Sequence, residues 1–175
     1  MRCIIALAGP SKSGKTTLAK KLAVELGVVV ASFGDQVRKE AFRKGLSDPS
    51  TRELQMVGAE LLETDVVGFC QAALKDAGFS PSHGLVVDGI RHVVALSAIK
   101  VLVGEQPVKL VYLESSLAKR QKLSLLTAHQ LKEIDTHPVE NDAEKLRAIA
   151  DLVLDTTDEI DKCFAILLQW VMGRC

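Results

Sequence analysis

The 175-residue chain has no excess charge of either sign, because 22 lysines and arginines balance 22 aspartates and glutamates. That balance removes the electrostatic footprint of a nucleic-acid binder or of a protein drawn to acidic membranes. Aromatic residues are scarce, with one Trp, one Tyr and five Phe, and no basic, aromatic stripe exists on which bases would stack. No apolar run approaches the ~18–20 residues of a membrane span. The N-terminus passes straight into a short apolar stretch without the layout of a signal peptide. Four cysteines (Cys3, Cys70, Cys163, Cys175) show no C-x-x-C spacing and no paired histidines nearby. That pattern argues against zinc or a disulfide framework and for reduced thiols in a cytoplasmic protein. Repeats, low-complexity tracts and linkers are missing too. What remains, 47% apolar and 25% charged, is the composition of one soluble domain large enough for a real core.

Against that plain background, residues 9–16 read Gly-Pro-Ser-Lys-Ser-Gly-Lys-Thr, a complete G-x-x-x-x-G-K-T. The octet follows the apolar run 3–8 and opens into a helical pattern with Leu18, Leu22 and Leu26 on one face and a stop at Gly27. Strand, glycine loop and helix N-terminus in that order form the setting of a phosphate-binding P-loop. Glycines let successive backbone N–H groups turn into one cavity, and the helix adds its positive end. The expected phosphate cradle is Gly9, Ser11, Lys12, Ser13, Gly14, Lys15, Thr16 and Thr17. Lys15 is expected to reach the β- and γ-phosphates of ATP, and the Thr16 hydroxyl to hold Mg²⁺.

Five apolar, β-branched runs (3–8, 28–32, 84–88, 108–113 and 151–155) are nearly continuous in hydrophobicity, as strands covered on both faces are. Helical patterns separate them. One follows Gly34 and Asp35 to about Lys44. Ser50 and Glu53 form a capping box that starts a long helix toward Lys75. Further patterns cover 92–103 and 117–134, Asn141 begins a short helix, and a last helix spans about 158–172. Alternating strand and helix predicts an α/β fold in three α/β/α layers, with a five-stranded parallel sheet and the ligand site at the carboxyl ends of its strands.

Two more stretches fall on that rim. Ser32–Arg38 ends the second strand, and Val87–Arg91 ends the third. Asp88 is placed to orient Mg²⁺ through its water shell, while Arg38 and Arg91 are placed to grip a phosphate bidentately. Asp35 is either an acceptor-side carboxylate or the N-cap of the helix behind it. The segment Asp135–Asn141 reads either as a polar network that senses nucleotide or, preferably, as a proline-stiffened turn. His92 follows Arg91 and is expected to line the pocket without doing chemistry.

In order and spacing, the P-loop at 9–16, Ser32–Arg38, Thr51–Gln55 with Gly58, Asp88–Arg91 and Ala150–Thr157 resemble the P-loop nucleoside monophosphate kinases. The deoxynucleoside monophosphate kinase branch is the nearer likeness, with adenylate kinase and dephospho-coenzyme A kinase as cousins. The resemblance implies one P-loop kinase domain over 1–175, with an acceptor-binding helical insertion over 36–80 and a lid-like segment over 116–140. It also implies transfer of a phosphoryl group from ATP, with Mg²⁺, to a nucleoside monophosphate or similar phosphorylated small molecule. Lys15, Asp35, Arg91 and Arg120 are then the expected catalytic residues, Thr16 and Asp88 the metal residues. Asp35, Arg38, Arg52, Gln55 and Arg91 are expected to hold the acceptor. Family lids carry several arginines. Here only Arg120 is present, flanked by Lys119 and Lys122, with Leu123 and Ser124 where a second arginine is expected, so Lys122 or Arg147 is left as its substitute. A hydroxyl acceptor of the dephospho-coenzyme A type, with Asp35 as base, and a slow ATP-hydrolysing switch that acts on a protein partner remain as alternatives.

Overall fold

The computed structural model describes residues 3–157 and 159–175. Five strands, β1 (Ile4–Ala8), β2 (Val29–Ser32), β3 (Leu85–Ile90), β4 (Val108–Glu114) and β5 (Leu152–Asp155), form one sheet in the order β2-β3-β1-β4-β5. Every pairing is parallel. The α/β/α expectation holds, and each apolar run became a strand within a residue or two of its expected ends.

β1 is central, and all five of its residues are buried. Side chains of a strand alternate between faces, so Ile4, Ala6 and Ala8 join one core cluster and Cys3, Ile5 and Leu7 another. The first cluster packs under α3 (Thr51–Asp76) and α4 (Val93–Leu102), through Phe69, Cys70, Ala73, Leu96 and Ile99. The second packs under α1 (Lys15–Leu26) and α8 (Ile160–Met172), through Leu18, Leu22, Leu167 and Val171. Each fully buried Leu or Ile of this kind contributes about 1.5–3 kcal/mol. A central strand locked from both sides gives the loop after Ala8 a rigid base.

Local chemistry sets the helix ends. Gly27 (φ 63°) closes α1. The Ser32 hydroxyl, not Asp35, caps α2 (Phe33–Arg43) by accepting the Asp35 N–H at 3.2 Å. In α3 the expected box forms, with the Glu53 N–H on Ser50 Oγ at 3.3 Å and the Ser50 N–H on Glu53 Oε2 at 2.7 Å. The helix also kinks at Asp65, which leaves helical geometry (φ −158°, ψ 81°) and accepts the Gly68 N–H at 2.8 Å, starting the second half afresh. α2 and α3 together occupy the span read as the acceptor insertion.

The single helical pattern over 117–134 is corrected to two helices, α5 (Leu117–Lys122) and α6 (Ala128–Asp135). The Ser124 hydroxyl turns back to the Arg120 carbonyl at 2.9 Å, and a second capping box, Thr127 with Gln130, begins α6. A 3-10 turn, Pro138–Asp142, leads into α7 (Ala143–Ala148), so the helix expected from Asn141 begins at Ala143. The last helix starts at Ile160; position 158, where it was expected to start, lies outside the described residues. No helix among the described residues is long and apolar enough to cross a membrane.

The cysteine expectation is corrected as well. Cys3 and Cys175 form a disulfide across 172 positions, because the turn after α8 ends beside the start of β1. No spacing rule pairs residues so far apart, and the bond removes the inference from cysteine usage to a reducing compartment. Cys70 and Cys163 are buried and take no part in that bond.

Candidate active site

The loop from β1 to α1 takes left-handed geometry at Gly9 (φ 133°), Lys12 (φ 62°) and Gly14 (φ 90°). Gly9 has a second constraint: a Cβ there would lie 2.4 Å from the Leu113 carbonyl oxygen of β4. Only glycine allows the loop to leave the sheet at this point. Lys15 turns back over the loop, and its Nζ donates to the Gly9 carbonyl at 2.9 Å, the Pro10 carbonyl at 2.6 Å and Ser13 Oγ at 3.3 Å. Burial, and then the nearby Arg91 guanidinium, push its pKa down to about 7 against the opposing pull of Asp88 and Glu140. The amine is preorganised over an anion cradle.

Thr16 and Asp88 meet. The Thr16 hydroxyl donates to Asp88 Oδ2 at 2.7 Å, from the first turn of α1 to the carboxyl end of β3. Asp88 Oδ1 is buried and has no hydrogen-bond partner among the described residues. A hydroxyl beside a carboxylate with one oxygen unanswered is a hard-oxygen pair of the kind Mg²⁺ takes, so the residues present fit that ion.

Two cavities open at this rim. One of about 390 Å³ lies over the P-loop and takes in Lys15, Thr16, Thr17, Asp35 and Asp88. The other, about 190 Å³, lies between α2, α3 and α4 and is walled by Phe33, Val37, Leu54, Leu62, Phe69 and Ala95. Ser11, Lys12, Gly34, Arg38, Gly89 and Arg91 line both. The two arginines read from the sequence therefore stand at the junction. Gln55 and His92 line the smaller cavity, and burial lowers the His92 pKa despite Asp142 at 3.4 Å. Arg52 is exposed and lines neither cavity. Asp35 is exposed and ion-paired to Arg38 at 2.6 Å.

Sequence reasoning missed two carboxylates that hold the arginines. Glu140, whose side chain is 7% exposed, pairs with Arg91 and accepts Gln55 Nε2 at 3.4 Å. Asp135 takes both arms of Arg120, at 2.8 and 2.5 Å, while Arg120 Nη1 also reaches the Ser11 carbonyl at 3.3 Å. The stretch from Asp135 is a tight turn, as preferred, but it is also a polar network reaching the P-loop. Arg120 is buried against that loop rather than solvated. The proposed substitutes for a second lid arginine stand elsewhere: Arg147 binds Glu114 at 2.6 Å, and Lys122 lines neither cavity.

A family model described as an AAA domain matches residues 8–136, well over half of the chain. A UPF0200 protein of Methanosarcina barkeri is 36% identical over 106 residues, which are 58% of this chain and 54% of that protein. A cytidylate kinase of Chlorobaculum tepidum is 39% identical over 69 residues, 38% of this chain and 29% of that enzyme. The chain spans about half the length of the curated relatives it matches. Shikimate kinase from Aquifex aeolicus shares the fold, with a TM-score of 0.57 over 97% of this chain and 96% of that one at 16% identity. With its P-loop, its 2-3-1-4-5 parallel sheet and the family-model match over residues 8–136, the chain belongs to the AAA domain family.

Proposed function

We propose that this chain transfers the terminal phosphoryl group of Mg²⁺-ATP to a nucleoside monophosphate or a similar phosphorylated small molecule. The observation that carries the reading is the position of Arg38 and Arg91, which line the P-loop cavity and the smaller cavity alike. An acceptor phosphate held there faces the γ-phosphate over Lys15, as an in-line transfer requires. An acceptor phosphate oxygen forms the new bond to the γ-phosphorus, the bond from that phosphorus to the β-bridging oxygen breaks, and ADP leaves with the electron pair. The attacking oxygen is already ionised, so no general base is needed. Asp35 instead holds the Arg38 guanidinium at the cavity in the free site, until the acceptor phosphate takes its place. Thr16 and Asp88 would hold Mg²⁺, which would supply charge neutralisation for the phosphates when bound. Lys15 and Arg120 add positive charge from the loop side.

The carboxylates on Arg91 and Arg120 also suit a slow ATP-hydrolysing switch, because they quench the charges that transfer uses. One assay separates the two readings: ADP release from Mg²⁺-ATP, alone and with a panel of ribo- and deoxyribonucleoside monophosphates and dephospho-coenzyme A. Stimulation by a panel member, abolished in Lys15→Ala and shifted to higher acceptor KM in Arg91→Ala, is the expected result. A slow rate that no acceptor changes refutes the transferase reading and leaves the switch.

A further inference from the structure

Gln55 lies on the inner face of α3, 7% exposed, and its amide group is already committed. Nε2 donates to the Ile134 carbonyl at 3.2 Å and to Glu140 Oε1 at 3.4 Å. Neither partner is able to donate in return. The Ile134 oxygen is a carbonyl that also receives the His137 N–H at 3.2 Å, and the Glu140 carboxylate faces the Arg91 guanidinium. A primary amide has two N–H donors and one carbonyl oxygen. Turning it over would set that oxygen against a carbonyl and a carboxylate, two repulsive contacts in a buried place. The network fixes the side chain one way round, both donors are spent on the 134–140 segment, and Oε1 is the atom left for the cavity that Gln55 lines.

The rest of that cavity, away from Arg38, Arg91, Lys12, Ser11, Thr51 and His92, has apolar walls. Phe33, Val37, Leu54, Leu62 and Phe69 form its walls, with the Phe33 and Phe69 rings in edge contact at 4.9 Å. Such a slot suits a flat ring. We infer that Gln55 determines specificity in it: the cavity takes a phosphorylated ring compound that turns an N–H donor toward Gln55, and it rejects the same compound without that donor. This rests on the proposed reading of the smaller cavity as the acceptor site. A donor satisfies Oε1. A ring lacking one leaves a buried carbonyl oxygen unpaired, and the amide has no freedom to turn and compensate. Sites built this way discriminate more sharply than apolar pockets do. Glu140 is a positioning residue here, because it sets the amide of Gln55 and the guanidinium of Arg91 together.

The test compares matched pairs: adenosine 5′-monophosphate with purine riboside 5′-monophosphate, cytidine 5′-monophosphate with its 4-deamino analogue, and uridine 5′-monophosphate with its N3-methyl analogue. Kd is read by calorimetry on the full chain without ATP, and KM by ADP release. For each parent that binds, the analogue is expected to bind about 10- to 100-fold more weakly. In Gln55→Leu the ratio falls below about threefold, and Glu140→Gln, which lets the amide turn over, narrows it as well. Analogues that bind the wild-type protein as tightly as their parents overturn the inference, a result that needs no variant to fold. Full discrimination retained in Gln55→Leu overturns it too. Parents that bind and turn over without discrimination sink this inference alone, whereas no binding by any member removes the acceptor-site reading along with it.

Discussion

Substituting Asp135→Asn leaves Arg120, itself only 4% exposed, without its counter-charge. In the wild-type protein Nη1 and Nη2 reach the two Asp135 oxygens at 2.8 and 2.5 Å, and Nε has no partner among the described residues. Breaking a fully buried pair from one side costs about 3–5 kcal/mol. The Asp135 side chain is 33% exposed, however, so water answers part of the lost charge. About 2–3 kcal/mol is then expected, and in a chain of this size that lowers Tm by about 4–12 °C. Nucleotide supplies the discriminating arm. The guanidinium lies on the Ser11 carbonyl of the P-loop, where ATP would bring new negative charge. A guanidinium that meets those phosphates regains a counter-ion, so saturating Mg²⁺-ATP should raise Tm by several degrees more in Asp135→Asn than in the wild-type protein. Thermal melts with and without saturating nucleotide read both effects. An unchanged Tm in the free variant refutes the energetic reasoning, and equal nucleotide-induced rises refute the phosphate-facing role of Arg120.

Three further outcomes follow from the same geometry. Because the Lys15 pKa falls to about 7 on folding, below its ordinary 10.5, the unfolded chain binds the extra proton between those values. Stability of the nucleotide-free protein should therefore rise with pH across that window; below it the slope from Lys15 vanishes, with the full cost of burying the charged amine present. Urea unfolding at several pH values shows the slope, and the same slope in Lys15→Met refutes it. Gly9→Ala forces a Cβ to 2.4 Å from a backbone oxygen at φ 133°, so a loss of about 3 kcal/mol or more, together with nucleotide affinity, is expected; a wild-type melting curve refutes that packing. Reducing the Cys3–Cys175 bond, which closes nearly the whole chain, should cost about 3–5 kcal/mol in a thermal melt. A melt insensitive to reductant refutes that stabilisation.

What the sequence revealed divides along the distance over which each feature is made. The P-loop, the five strands, the Gly27 stop and the Ser50–Glu53 box depend on residues a few positions apart, and all were readable. The split between α5 and α6 was also local, since Ser124 and the Thr127–Gln130 box encode it, but the run of apolar positions masked those signals. Arg52 and Gln55 show a different limit. Both sit in the first turns of α3 and read alike as polar pocket residues, yet the rotation of the helix against α2 and α6 exposes one and buries the other. No single-sequence pattern holds that angle. The carboxylates lie further still from anything local: Glu140 meets Arg91 across 49 positions and Gln55 across 85.

Those long-range contacts bear on how the site would work. With Glu140 on Arg91, Asp135 on Arg120 and Asp35 on Arg38, each cation of the proposed clamp already has an anion. The free site is therefore close to neutral, and ligand phosphates must exchange with carboxylates rather than fall into an open positive field. Exchange costs the phosphate part of its binding energy, because a buried carboxylate loses its partner as it is displaced. The cost differs among the three. Asp35 is exposed and returns to water readily, whereas Glu140 is buried and also holds Gln55. An acceptor phosphate would therefore displace Asp35 from Arg38 first and approach Arg91 through the guanidinium edge that Glu140 leaves open. That keeps Glu140 in place and the Gln55 amide fixed while the acceptor binds.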